Sequence, residues 1–153
     1  MTADYVTLWL PGAPVPKARA RVTFRNGRAR AYTPEATKAW EQSARMVLGE
    51  LRRPADLWQG PVRMTLTIVI LRPTSCPKRK HPAVRPDGDN YEKAVLDALN
   101  GRLFEDDGQV VDLRWTKTYT DDPHAAGVAV EASQICSVAV NEGRSRRSGV
   151  ISG

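Results

Sequence analysis

Cysteine is scarce in this chain: Cys76 and Cys136 are the two present in 153 residues. They stand far apart, with no CxxC and no Cys/His spacing. That excludes a disulfide framework and a zinc site, and fits reduced thiols in a cytoplasm. No hydrophobic run is long enough to span a bilayer; the longest, around Leu66 to Leu71, is strand-sized, so no membrane partner is expected. The start, Met1-Thr2-Ala3-Asp4-Tyr5, has no basic n-region and no apolar h-region, so no secretory signal is expected. Histidine is as rare as cysteine: His81 and His124 fall in Pro-containing segments without partner motifs and read as surface loop residues. There is no Gly-rich phosphate loop followed by Lys-Ser/Thr, no dinucleotide fingerprint, no nucleophile elbow and no internal repeat.

Acidic residues are missing from one long stretch. Between Tyr5 and Pro34 there is none, while Lys17, Arg19, Arg21, Arg25, Arg28 and Arg30 all fall there. A second basic cluster is Lys78, Arg79, Lys80 and Arg85, and the net charge is +6. A basic domain of this kind points to a polyanionic partner. The acids collect later, at Asp87, Asp89, Asp97, Glu105, Asp106, Asp107 and Asp112.

The length fits one domain with its own core. Tyr5 to Leu10 reads as a strand. Arg21 to Phe24 and Arg28 to Tyr32 flank Arg25-Asn26-Gly27, and Asn-Gly is a strong hairpin signal because both residues tolerate positive φ. The hairpin is expected to carry alternating basic side chains on one face. Thr33-Pro34-Glu35 begins a helix with a hydroxyl cap, Pro at its first position and an acid in its first turn. Ala36, Trp40, Ala44, Val47, Leu48 and Leu51 recur at helical spacing up to Arg53-Pro54. Val62 to Leu71 is a strand and Arg72 to Arg85 a loop. Asp89 to Leu99 is a second helix, apolar at Tyr91, Ala94, Val95, Ala98 and Leu99 and stopped by Asn100-Gly101. Asp106-Asp107-Gly108 is a turn, Val110 to Tyr119 a strand with Val111, Leu113 and Trp115 on one face, and Gly127 to Ala132 a last strand. The domain is expected at 1–132, and residues 133–153 read as a mobile basic tail. Trp9, Trp40, Trp58 and Trp115 are expected in the core.

The segment that carries chemistry runs from Arg85 to Asp112. Asp87 and Asp89 sit where a loop becomes a helix. Lys93 is four residues after Asp89, on the same helix face, with Asp97 a further turn along. Asp106-Asp107 lies at a turn that is expected to fold back on the helix start. Taken singly, each has a plain explanation: Asp89 or Asp87 as a helix cap, Asp107-Gly108 as a turn, Asp89-Lys93-Asp97 as solvated pairs. Together they form a set of carboxylates of the kind that holds Mg²⁺, a hard cation that takes oxygen ligands. Such an ion beside a phosphodiester activates water and neutralises the phosphate. Lys93 adds a positive charge, either to stabilise the transition state or to orient the attacking water. An EF-hand is excluded, because counting from Asp87 puts Glu92 where Gly is needed and Ala98 where Glu is needed.

At these residues the sequence resembles the RusA family of Holliday junction resolvases, found in phages and prophages. The resemblance lies in Arg85-Pro86-Asp87-x-Asp89-Asn90-x-x-Lys93-Ala94-x-x-Asp97-Ala98-Leu99-Asn100-Gly101. It continues through Asp106-Asp107-x-Gln109-Val110-Val111-Asp112 to Lys117. Pro14 to Arg21 and Tyr32-Thr33-Pro34 share it, and it covers roughly residues 5 to 132. It implies a small α+β domain with a mixed sheet and two helices packed on it. It also implies a metal site of Asp87, Asp89 and Asp107, with Mg²⁺ or Mn²⁺ as the ion, catalysis by Lys93, and Asp106 and Asp97 as secondary acids. The implied substrate is branched DNA, held by Lys17, Arg19, Arg21, Arg25, Arg28, Arg30, Lys78, Arg79, Lys80, Arg85 and Lys117. Gly88 departs from the family, whose members often carry a bulkier residue there; it implies a looser loop. A homodimer is expected, because two symmetric incisions need two sites and the chain shows one acidic cluster. The competing expectations are a non-catalytic binder of branched nucleic acid and a nuclease of other branched DNA.

Overall fold

The computed structural model describes residues 5–15, 21–32, 35–49 and 56–135. Its elements are β1 (Tyr5–Pro11), β2 (Arg21–Arg25), β3 (Arg28–Tyr32), α1 (Glu35–Gly49), β4 (Val62–Leu71), α2 (Gly88–Leu99), β5 (Val110–Thr120) and β6 (Gly127–Gln134). The cap at Thr33-Pro34, the helix end near Arg53-Pro54 and all of the expected tail beyond Ile135 lie outside the described residues.

Four strands form a mixed sheet in the order β1-β6-β4-β5. β4 and β5 are parallel, with α2 in the connection between them, and β6 is antiparallel to both β1 and β4. β6 continues past Ala132, with Ser133 paired to Tyr5 and to Arg63 and Gln134 to Val62, so the sheet takes in the first residues assigned to the tail. β2 and β3 form a separate hairpin. Its turn is Asn26 at φ 53° and Gly27 at φ 68°, the two positive values that a tight turn between right-twisted strands requires. The fold is therefore α+β, as expected.

The period of two along each strand sorts the sheet into two faces. On β4, Val62, Met64, Leu66 and Ile68 are buried, and on β6, Val128, Val130 and Ala132. These meet Trp40, Ala44 and Leu48 of α1 and Tyr91, Ala94, Val95, Ala98 and Leu99 of α2 in one core. The apolar side expected for α2 is the buried one. In α1, Trp40, Ala44 and Leu48 are buried as expected, and in the first turn Thr37 is buried in place of Ala36. Each fully buried Leu, Ile or Val contributes about 1.5–3 kcal/mol, which holds both helices on this face.

The opposite face carries Arg63, Asp112 and Arg114. Arg63 Nε donates to Asp112 at 2.8 Å, and Arg114 Nε lies 3.6 Å from the same carboxylate. Trp9 is 42% exposed and Trp115 39% exposed, so only Trp40 and Trp58 are core tryptophans as expected. Periodicity says which residues share a face, and the order of the strands decides which face is covered. Among the described residues no helix is long and apolar enough to cross a membrane.

Candidate active site

α2 begins directly from an extended residue, Asp87 (φ −69°, ψ 153°), which holds the capping position without a side-chain capping bond. Its carboxylate is exposed and so is that of Asp89; neither has a side-chain hydrogen bond or ion pair among the described residues. Lys93, one turn on from Asp89, is exposed and equally unpaired among the described residues. The plain explanations of capping and of i,i+4 pairing are thus not realised at this helix start. Partial burial, and after it the Asp89 charge one turn away, raise the pKa of Glu92 above its ordinary value. Asp97 is half-buried and engaged in an interaction of its own.

The loop that leads into this corner is basic and fastened. Lys78, Arg79, Lys80 and Arg85 are exposed on it. Arg72, at the end of β4, donates through its guanidinium to the Arg79 carbonyl, pairs with Asp121 at 2.7 Å and lies over the Tyr119 ring at 5.2 Å. Lys117, expected as a DNA contact, is half-buried, and its Nζ donates to the carbonyls of Val84 and Pro86 at 3.1 Å each. A strand residue on the helix-facing side here directs its charge into the protein.

The expectation of a looser loop at Gly88 is corrected. It is buried, and a Cβ placed on it would lie 2.2 Å from the far edge of the Trp115 indole. The glycine closes the corner onto that ring and does not loosen it. Gly88→Ala is expected to cost about 1–3 kcal/mol, the usual penalty of overpacking. In a Trp115→Leu background the same change should cost nothing or gain slightly from the better helix propensity of Ala. A denaturant double-mutant cycle measures the coupling, and equal costs in both backgrounds would refute the contact.

The two acids of the Asp106–Gln109 turn have different surroundings. Asp106 Oδ1 accepts from the Gly108 N–H at 2.7 Å, and Gln109 Oε1 accepts from the Asp106 N–H at 2.9 Å, a reciprocal cap. Gln109 Nε2 donates to the carbonyls of Trp58 and Gly60, anchoring the turn at the start of β5. Asp107 is exposed there. Gly88 meets the far edge of the Trp115 ring and the Pro86 carbonyl accepts from Lys117 Nζ, so the start of α2 is fastened to residues further along β5. Among the described residues no three His, Cys, Asp or Glu side chains converge as a metal-holding group. Asp87, Asp89 and Lys93 thus share one helix start in sequence, and with Asp107 they do not close as one three-acid group among the described residues. Two unpartnered carboxylates suit a hard divalent cation by donor type but leave it short of the third.

Of the remaining basic residues, Lys17 and Arg19 lie outside the described residues. In the backbone register of the hairpin Arg25 pairs with Arg28, Thr23 with Arg30 and Arg21 with Tyr32. Sequence reasoning missed Trp115 and Lys117 as parts of the corner. No local motif marks them, since their partners lie about thirty residues away in the chain (Lys117 and Pro86 are 31 apart). The cap at Asp106 had a signal in the Asp-x-x-Gln spacing.

A small α+β domain with unpaired carboxylates and a lysine at one helix start, flanked by a fastened basic loop, belongs to the class of proteins that work on a polyanion. The chain belongs to the RusA endodeoxyribonuclease family: the family model, described as Endodeoxyribonuclease RusA, matches residues 11–131. Membership makes it an endodeoxyribonuclease, a hydrolase acting on DNA. It is also similar to a Bacillus subtilis (strain 168) protein named "Uncharacterized protein YqaN", with 33% identity over 141 residues, 85% of this chain and 99% of the relative.

Proposed function

We propose that this chain resolves Holliday junctions by paired symmetric incisions, as a Mg²⁺-dependent homodimer acting in recombination and repair in the cytoplasm of a bacterium, and that it is encoded by a phage or prophage. The observation that carries this reading is the corner at the start of α2: Asp87, Asp89 and Lys93 exposed, unpaired among the described residues and beside exposed basic residues. Asp87 and Asp89 would hold Mg²⁺ or Mn²⁺, and such an ion, when bound, supplies an activated water and charge neutralisation at the phosphate. Lys93 holds a positive charge where negative charge grows on the reacting phosphate. Asp107 is the third carboxylate of this reading. No three acids close as a group among the described residues, so in this reading movement of its turn or a second chain completes the set. One corner per chain and two incisions per junction call for a C2 pair.

The test is a synthetic four-way junction incubated with the chain, with and without Mg²⁺. Paired nicks at symmetric positions are expected only with the metal. A mobility shift with no nicks in either condition would favour the second reading, a binder of branched nucleic acid. Faster cutting of flaps or three-way forks than of junctions would move the substrate to other branched DNA. The acid-free basic stretch of the sequence has its own expectation. Changing Arg19 and Arg21 together to Ala should weaken junction binding and reduce the slope of log K against log [salt] by about two, one per lost phosphate contact. An unchanged slope would take both residues off the DNA surface.

A further inference from the structure

We propose that Lys117 is a positioning residue for the acidic corner: it fixes the backbone immediately ahead of Asp87 and thereby sets where the Asp87 carboxylate stands. This rests on reading that corner as the active site. Lys117 lies on the helix-facing side of β5, paired in register with the fully buried Ile68. Packing alone would place an apolar residue there. The ammonium instead donates to two main-chain carbonyls, Val84 and Pro86, which bracket Arg85. Bonds from a charged donor are stronger than neutral ones, and partial burial limits the competition from water.

The loop needs such a fastening. Pro82 and Pro86 have no N–H to give to a ladder, so the segment ahead of Asp87 cannot be held as a strand. Trp115, two residues before Lys117 on the same side of β5, packs against Gly88. Two neighbouring side chains of one strand therefore hold the chain on both sides of Asp87, at the carbonyl before it and the Cα after it. The charge is used inside the protein, so removing it should leave the electrostatics of DNA binding as they were.

The test uses the full chain with Lys117→Met and Lys117→Arg. In the metal-free Met variant, trypsin should cut after Lys78, Arg79 or Lys80 about five times faster than in the parent, since cleavage follows the population of the opened loop. Mn²⁺ uptake by the free protein, read by electron paramagnetic resonance, should weaken by about tenfold or more, the usual cost of losing a group that orients a metal ligand. Junction affinity in EDTA and its salt slope should match the parent. The Arg variant, which keeps a charged donor, should recover most of the loss. Unchanged trypsin rates and unchanged Mn²⁺ affinity in the Met variant overturn the proposal. So does a shallower salt slope with unchanged Mn²⁺ affinity, which would make Lys117 a phosphate contact. A parent chain that takes up no Mn²⁺ overturns the reading of the corner and the proposal with it. A parent that binds the ion beside an unaffected Met variant overturns the proposal alone. One measurement needs no variant. The Lys117 ¹⁵Nζ–H signal of the parent should persist at low temperature while those of exposed Lys78, Lys80 and Lys93 are lost to exchange, and its absence overturns the brace even if Lys117→Met does not fold.

Discussion

Asp89→Asn is expected to abolish junction cleavage in Mg²⁺ while the variant still folds and binds the junction. The side chain is exposed and makes no hydrogen bond or ion pair among the described residues, so the fold has little to lose. A surface change of this kind stays within about 0.5 kcal/mol. Burial, the larger cause of the raised pKa of Glu92, remains, and removing the charge relieves the smaller one, the Asp89 repulsion, which slightly favours the variant at pH above the ordinary range of that carboxyl. The chemical loss is large because an amide oxygen replaces an anionic ligand for a hard divalent ion. Removal of one well-placed electrostatic group costs on the order of 10²–10³ in rate, and loss of a ligand should exceed that. Junction affinity measured in Ca²⁺ or EDTA should stay equal or tighten, since a negative charge beside the phosphates has gone. Cleavage within tenfold of the parent would remove Asp89 from the site.

Lys93→Ala carries the second large effect, a fall in cleavage of about 10²–10³ at unchanged or slightly higher melting temperature. Lys93 is exposed and unpaired on α2 among the described residues, and Ala is the better helix former, so stability gives no reason for a loss of activity. If Lys93 only held a phosphate, the salt slope of binding would drop by about one and the rate at saturating junction would survive. If it acts on the reacting phosphate, the rate at saturation falls and binding changes little. Single-turnover kinetics separate the two outcomes. Lys93→Arg should restore charge without full activity, because the planar guanidinium cannot occupy the place of a compact ammonium.

These two variants test the corner, while Asp107 tests its completion. Asp106 is held in a cap and Asp107 stands at the start of β5, so the acids that look adjacent in sequence have different surroundings. If the paired chain or a moved turn brings Asp107 to the corner, Asp107→Asn should lower cleavage as Asp89→Asn does. If it does not, the loss should be small.

The elements that local chemistry specifies were legible in the sequence. The Asn26-Gly27 turn, the period of α2 and the bounds of β4 depend on residues within about four positions of one another, where propensity and spacing decide. For the same reason, spacing along the chain is enough to set Asp87, Asp89 and Lys93 together at one helix start. What tertiary structure alone decided were contacts between distant segments. These include β6 lying between β1 and β4, Trp9 and Trp115 left partly exposed, Asp112 paired with Arg63 on the far face, Trp115 set against Gly88, and Lys117 turned inward to the Pro86 carbonyl. The physical reason is that a pattern of two or 3.6 tells which residues share a face. Which neighbour covers that face is set by the burial of the whole core, a sum over residues far apart in the chain.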